Sequence, residues 1–100
     1  MKIIEIGYYD EVPIYYTGIV QRANVHKEWY KNGVLHREDG PAMELINEDK
    51  HWYINGERHR EDGPAIEYGN GTKEWYINNK SYTKEEYDIE MNRPNALRLI

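Results

Sequence analysis

The sequence predicts a mainly β protein, an antiparallel meander of 23-residue hairpin units that ends in a short helix. Three observations support this fold class. Trp29, Trp52 and Trp75 recur every 23 residues, and fixed periods of about 20–50 residues mark repeat architectures. Asn-Gly follows the first two tryptophans, and this dipeptide is a strong hairpin signal. A Thr-x-x-Glu sequence at Thr83 is typical of the start of a helix.

Length and composition indicate one small domain. The chain has 100 residues, 13 Lys and Arg against 18 Asp and Glu, a net charge of −5 and no cysteine. A nucleic-acid partner needs a basic surface, so the acidic balance disfavours one. No apolar run reaches the roughly 18 residues that a membrane helix needs, and the N-terminus lacks the apolar core of a signal peptide. We therefore expect a cytoplasmic protein without a membrane segment.

Two strands are expected before the repeats. Residues 2–9 read KIIEIGYY and have the apolar, β-branched character of an opening strand, followed by a turn at residues 10–13. Residues 14–21 read as the next strand. Residues 1–16 are therefore assigned as an N-terminal strand and cap.

Residues 17–82 contain the repeated unit. Residues 29–44 read WYKNGVLHREDGPAME and residues 52–67 read WYINGERHREDGPAIE, which are identical at twelve of sixteen positions. A third copy begins at Trp75 as WYINNKSY and then departs, and residues 17–21 form a degenerate first copy. Two strands and two turns in 23 residues leave no room for a crossover helix, so neighbouring strands are expected to be antiparallel.

A helix is predicted within residues 83–92. Thr83 as the N-cap and Glu86 three residues later form a capping box, and Pro94 ends the helix. We expect this helix to cover the last strand edge. Residues 95–100 could either add an edge strand or mediate self-association.

The 23-residue period, the Trp-Tyr-x-Asn-Gly turn and the later Gly-containing turn resemble MORN-type repeats, in the variant WYxNGxxHREDGPA form of small phage and bacterial proteins. The resemblance covers about residues 17–82. It implies an elongated antiparallel sheet of MORN-like hairpin repeats used as a binding scaffold. It also implies a viral accessory protein that acts on a host target, in the cytoplasm of the host.

The repeated His-Arg-Glu-Asp stretch is the first candidate for chemistry. Two His on one metal ion must approach within about 4 Å, whereas equivalent positions of successive units lie about 10 Å apart at the usual strand spacing. We therefore expect no metal site. The chain has no cysteine nucleophile, nucleophile elbow or P-loop, so we expect neither an enzyme nor a cofactor.

Two interpretations of this stretch stay open. In one, His36, Arg37, His59 and Arg60 grip an anionic ligand, because arginine presents a bidentate fork. In the other, each arginine pairs with a carboxylate of the neighbouring unit, and the resulting ladder sets the register of the sheet.

A row of tyrosines is the second candidate surface. Side chains alternate across a strand, so Tyr30, Tyr53 and Tyr76 are expected on the face opposite the tryptophans, at intervals of about 10 Å. They either pack a two-sided sheet or form an interface, because tyrosine combines a large apolar area with a polar group.

These observations predict a non-enzymatic protein-interaction module that presents its tyrosines and charged residues to a protein partner. With the resemblance, the prediction becomes a phage-encoded inhibitor of a host defence factor. The alternative is a protein that sequesters a small anionic or nucleotide-like ligand in a groove lined by His36, Arg37, His59 and Arg60. Open sheet edges and a thin core also favour a homodimer.

Overall fold

The computed structural model describes residues 1–94 and shows a mainly β fold with one short helix at its C-terminal end. This confirms the prediction of a mainly β protein that ends in a short helix. The expectation for residues 95–100 lies outside the described residues. The elements are β1 (Ile3–Ile6), β2 (Gly18–Arg22), β3 (His26–Lys31), β4 (Val34–Leu35), β5 (Met43–Leu45), β6 (Lys50–His51), β7 (Tyr53–Ile54), β8 (Glu57–Arg58), β9 (Ile66–Glu67), β10 (Lys73–Ile77), β11 (Lys80–Tyr82) and α1 (Lys84–Met91).

Most of the strands form one sheet whose spatial order follows the chain. That order is β1-β2-β3-β5-β6-β9-β10-β11, with β4 paired to β3 beside this path, while β7 and β8 form a separate hairpin. Within residues 1–94 every pairing except that of β1 with β2 is antiparallel. The sheet therefore extends mainly in one direction, and the principal extents are 42 × 30 × 20 Å.

Strand β1 departs from the expected antiparallel order because it runs parallel to β2. The connection over residues 7–17 is long enough to return the chain to the start of the sheet, as a parallel pairing requires. A turn closes when the Tyr16 amide donates to the carbonyl of Pro13 at 3.1 Å. The second strand consequently begins at Gly18, later than predicted. The buried Tyr16 hydroxyl donates to the carbonyl oxygen of Ile19 at 2.9 Å and fixes the connection to the sheet.

The backbone hydrogen bonds recur at an offset of 23 residues. Trp29 donates its amide proton to the carbonyl of Ala42, and Trp52 donates to that of Ala65, both at 2.8 Å. Both alanines are completely buried. A small side chain is therefore retained where strands and turns meet closely in each copy.

The predicted turns at the Asn-Gly steps are confirmed. Asn32, Asn55 and Asn78 have φ values of 51°, 50° and 47°, in the left-handed region that asparagine tolerates better than most residues. Each turn joins two antiparallel strands, namely β3 to β4, β7 to β8 and β10 to β11.

The predicted capping box of α1 is also confirmed. The Thr83 side chain accepts a hydrogen bond from the Glu86 amide, and the Glu86 side chain accepts one from the Thr83 amide. Helix α1 buries Tyr87, whose hydroxyl donates to the carbonyl of Arg60 at 2.7 Å and accepts from the Gly63 amide at 3.2 Å. The helix thus covers the last His-Arg-Glu-Asp-Gly turn. In residues 1–94 no helix is long and apolar enough to cross a bilayer.

Candidate functional site

Each repeated arginine stacks on the tryptophan of its own unit. The Arg37 guanidinium carbon lies 4.0 Å from the ring centroid of Trp29, and that of Arg60 lies 3.9 Å from the ring centroid of Trp52. A guanidinium over an indole face is attracted by the ring quadrupole. The His-Arg-Glu-Asp-Gly turns, hereafter the HREDG turns (residues 36–40 and 59–63), therefore fold back over the tryptophans that precede them.

The same arginines are also bonded to oxygen atoms of their own units. Arg37 donates from Nε to Asp39 at 3.0 Å, and from Nη1 to the carbonyl of Pro41 at 3.1 Å and to Glu44 at 3.4 Å. Arg60 makes the corresponding three bonds at 2.9, 3.0 and 2.8 Å to Asp62, Pro64 and Glu67. The expected ladder between arginines and carboxylates of neighbouring units is therefore wrong, because the stacked arginine lies within the turn of its own unit.

The glycine of each HREDG turn permits this folding back. A Cβ atom on Gly40 would lie 3.0 Å from the Arg37 guanidinium carbon, and one on Gly63 would lie 2.8 Å from that of Arg60. These distances are shorter than a carbon–carbon contact at optimal separation, about 3.5–4.0 Å. A Cβ atom at either position would therefore force the end of the flexible arginine side chain to shift.

The side chains of the histidines, rather than those of Arg37 and Arg60, bond one unit to the next, while the amides of the two arginines donate to the carbonyls of Tyr53 and Tyr76 at 3.1 Å. The Nδ1 atom of His36 accepts from the Asn55 amide at 2.9 Å, and that of His59 accepts from the Asn78 amide at 3.0 Å. A neutral imidazole that accepts through Nδ1 carries its proton on Nε2. Sequence reasoning missed this role. The sequence did contain an indication of it, since Tyr82 replaces the histidine in the last copy, after which no Asn-Gly or Asn-Asn dipeptide follows.

An open groove of about 820 Å³ lies between the two HREDG turns. It is lined by Arg37, Glu38, Asp39, Gly40, Trp52, Ile54, His59, Arg60, Glu61 and Asp62. Four carboxylates thus accompany two guanidiniums. The Glu38, Asp39 and Asp62 side chains are 80–88% exposed, whereas those of the two arginines are only 23% and 19% exposed. A molecule approaching the groove therefore meets negative charge.

The predicted tyrosine row is partly buried, and its two ends are bonded to glutamates. Tyr30 donates to Glu28 at 3.0 Å and Tyr76 donates to Glu74 at 3.1 Å. Burial, followed by the Glu28 charge, raises the pKa of Tyr30 above its ordinary value. Neither these tyrosines nor Tyr53 line the groove. Three of the seven predicted site residues, Arg37, His59 and Arg60, do line it.

The tyrosine face also holds Arg58 and His51, which sequence reasoning missed. The Arg58 guanidinium carbon lies 5.4 Å from the ring centroids of both Tyr53 and Tyr76. Burial, followed by the Arg58 charge, lowers the pKa of His51. A difference between the copies could have pointed to His51, because it occupies the position held by Glu28 and Glu74 in the other two.

Next to Trp29, where the repeat has a glutamate, the charge of a nearby arginine on the tyrosine face is neutralised. Arg22 Nε lies 2.9 Å from one Glu28 carboxylate oxygen, and His26 Nε2 lies 2.9 Å from the other. Arg22 also donates to the carbonyl of Asp10 at 2.6 Å. This buried cluster ties the connection after β1 to the sheet.

In the part of the chain that the structure describes, no group of three or more His, Asp or Glu side chains is placed to hold a metal ion. Comparisons with protein-family models, curated proteins and solved structures find no match for this chain.

Proposed function

We propose that this protein is a non-enzymatic interaction module that binds a protein partner through the groove between its HREDG turns. The orientation of the charges is the observation that carries the proposal. Arg37 and Arg60 point inward onto tryptophans and are bonded, whereas the carboxylates of Glu38, Asp39 and Asp62 are exposed. Complementary potentials favour association, so the partner surface is rich in lysine and arginine.

The same contacts disfavour the alternative in which Arg37 and Arg60 hold an anionic ligand. Each guanidinium already donates to two carboxylates and one carbonyl oxygen. These bonds occupy Nε and Nη1 of each arginine, and an incoming anion would be repelled by the carboxylates of the groove. A basic surface would meet no such opposition.

The proposal includes a MORN-like array of hairpin repeats as the scaffold. Its support is the recurrence, at an offset of 23 residues, of the Trp29–Ala42 amide-to-carbonyl bond and of the His36–Asn55 bond. In such an array each unit positions its HREDG turn relative to the next. The groove is then a product of the repeat, because two successive turns form its two sides.

The proposal also places the protein in the cytoplasm of a host cell, as a phage-encoded inhibitor of a host defence factor. Its support is the resemblance of the WYxNGxxHREDGPA unit to small phage proteins. A rigid module with an acidic groove would act by occupying a basic surface that the host factor needs for its own binding partner.

A second copy of the chain is proposed to pair with the open edge of β1. The carbonyls of Lys2 and Ile6 accept bonds from β2 and its following turn. Alternate residues direct their backbone groups to opposite edges, so Ile3 and Glu5 direct theirs away from β2. The Ile3 side chain is 59% exposed. Antiparallel pairing of two β1 strands would satisfy both free edges at once.

A fluorescent lysine- and arginine-rich peptide tests the groove by anisotropy titration at low salt. The variant Glu38→Gln/Glu61→Gln removes one carboxylate from each side of the groove, and Glu5→Gln/Glu11→Gln removes the same charge elsewhere. We expect the groove variant to bind about three- to tenfold more weakly, since exposed ion pairs contribute about 0.2–1 kcal/mol each. The control variant should stay within about twofold. Equal weakening of both variants would reject the groove as the binding site.

A further inference from the structure

The tyrosine face carries a guanidinium that has no carboxylate partner among the residues that the structure describes. Arg58 lies on β8 and is partly buried between the rings of Tyr53 and Tyr76. Among residues 1–94 its side chain forms no ion pair, and its Nε atom is buried without a hydrogen-bond partner. Arg58 therefore keeps donor capacity that residues 1–94 do not use.

The other arginines on the sheet are paired. The Nε atoms of Arg22, Arg37 and Arg60 lie 2.9, 3.0 and 2.9 Å from carboxylate oxygens. A buried donor without an acceptor is rare in native proteins and calls for a specific explanation. Arg58 is thus an exception to the rule that the rest of the sheet follows.

Position 51 is where this face lacks a carboxylate that the other copies have. Before Trp29 that carboxylate is Glu28, which neutralises Arg22, although Arg22 is not the repeat counterpart of Arg58. The corresponding residue of the middle copy is His51, whose Nδ1 atom is buried and has no partner in the described part of the chain. An imidazole brings no negative charge, so the Arg58 charge is not balanced there.

A carboxylate that lies on this face, that of Glu74, already accepts two hydrogen bonds. Glu74 accepts from the Tyr68 hydroxyl at 2.8 Å through one oxygen, and from the Tyr76 hydroxyl at 3.1 Å through the other. Its presence limits the negative charge that a ligand can bring, because a dianion would be repelled more strongly than a monoanion. The aromatic rings on both sides of Arg58 suit a planar apolar body.

We propose that Arg58, Tyr53, Tyr76 and His51 form a binding site for a small planar monocarboxylate. The ligand carboxylate would accept from the Arg58 guanidinium, whose fork matches the two oxygens. The body of the ligand would contact the tyrosine rings. This site lies on the tyrosine face, and none of its residues lines the groove.

Benzoate is the probe that tests the site, with neutral benzamide as its isostere and inorganic phosphate as the second anion. NMR titration of the full chain should give saturable shifts at Tyr53, Arg58 and Tyr76 with benzoate. Benzamide should give none, and phosphate should bind more weakly than benzoate. Stronger binding of phosphate, or equal binding of benzamide, would overturn the assignment to a monocarboxylate.

Variants locate the binding. Arg58→Gln should weaken benzoate binding at least about tenfold, the usual scale for a charge-assisted bond, whereas Lys31→Gln, which removes one exposed positive charge, should leave it unchanged. If Arg58→Gln does not fold, Tyr53→Phe and His51→Glu serve instead. His51→Glu supplies the carboxylate of the other copies and should abolish binding. Unchanged affinity in His51→Glu or in folded Arg58→Gln would refute the site.

The outcome is independent of the groove. The variant Glu38→Gln/Glu61→Gln should bind benzoate as the native chain does. Failure of the basic-peptide experiment with intact benzoate binding would reject the proposed groove function alone. Loss of benzoate specificity with intact peptide binding would reject the carboxylate site alone.

Discussion

The Nδ1 atom of His36 accepts a hydrogen bond from the backbone amide of Asn55, nineteen residues later in the chain, at 2.9 Å. His59 and Asn78 repeat this bond at 3.0 Å. Because the amide belongs to the left-handed turn of the next hairpin, each histidine fixes the position of a turn that its own unit does not contain. Each histidine thus connects its copy to the next, as Asp49 does by accepting from the Gly69 amide and Asn79 by accepting from the Arg58 amide.

Removing this acceptor should destabilise the sheet. We expect His36→Leu to lower the free energy of unfolding by about 1 kcal/mol, the usual net value of such a bond. His36→Asn keeps an acceptor near the position of Nδ1 and should lose less than half as much. Urea unfolding followed by tryptophan fluorescence measures both variants. An equal loss in both would show that ring packing, and not the accepted hydrogen bond, is what matters.

How much of the fold follows from the sequence depends on the range of the interactions. The turns at Asn32 and Asn55 and the capping box at Thr83 are local, because each is determined by residues within a few positions, and these predictions are confirmed. The parallel direction of β1 depends on how residues 7–17 return across the molecule. No local pattern specifies that path.

In the candidate site, too, local features could be predicted from the sequence and long-range contacts could not. The sequence indicated that Arg37 and Arg60 belong to a repeated feature, but the partners of a long side chain depend on tertiary distances. Their stacking on Trp29 and Trp52 arises only when the turn folds back. Arg58 could not be predicted from the features that the copies share, because the other copies have Leu35 and Ser81 at its position.

Gly63 should not tolerate a side chain while Arg60 is stacked. A Cβ atom at this position would lie 2.8 Å from the Arg60 guanidinium carbon, so Gly63→Ala must displace the guanidinium from Trp52 and from its carboxylates. We expect a loss of about 0.5–1 kcal/mol, the scale of an exposed cation–π contact. In an Arg60→Met background the same change should cost much less. Additive losses in a double-mutant cycle, measured by urea unfolding, would contradict this explanation.

His51 should make the fold less stable in mild acid. Burial and then the Arg58 charge lower its folded-state pKa below the ordinary 6.5, so the unfolded chain takes up the proton first. The unfolded state therefore binds more protons, and stability falls as the pH drops below about 6.5, until the folded-state pKa is reached.

Comparison with His51→Gln isolates this contribution, because the other histidines are present in both proteins. Urea unfolding at pH 7.5, 6.5 and 5.5 should show a steeper loss for the native chain than for the variant. Parallel pH profiles would mean that His51 does not contribute.

The β1 edge should support a dimer that a single proline removes. The Glu5 amide points away from β2, so Glu5→Pro removes a donor from the free edge without removing a bond to β2. Sedimentation equilibrium should show a dimer for the native chain and for the charge control Glu5→Gln, and a monomer for Glu5→Pro. A native chain that stays monomeric at millimolar concentration would exclude pairing through this edge.

Deletion of one whole unit should leave a folded protein. Removal of residues 37–59 joins His36 to Arg60, so that His36 replaces His59 as the acceptor for the Asn78 amide and every strand keeps its facing pattern. Removal of residues 37–58 leaves one additional residue. A shift of one residue moves each following side chain to the opposite face of its strand, which would place Trp75 on the face that carries Glu28 and Glu74. We expect dispersed amide NMR spectra and cooperative unfolding for the 23-residue deletion, and neither for the 22-residue deletion. Similar spectra for the two variants would show that the interval between tryptophans is not the structural unit.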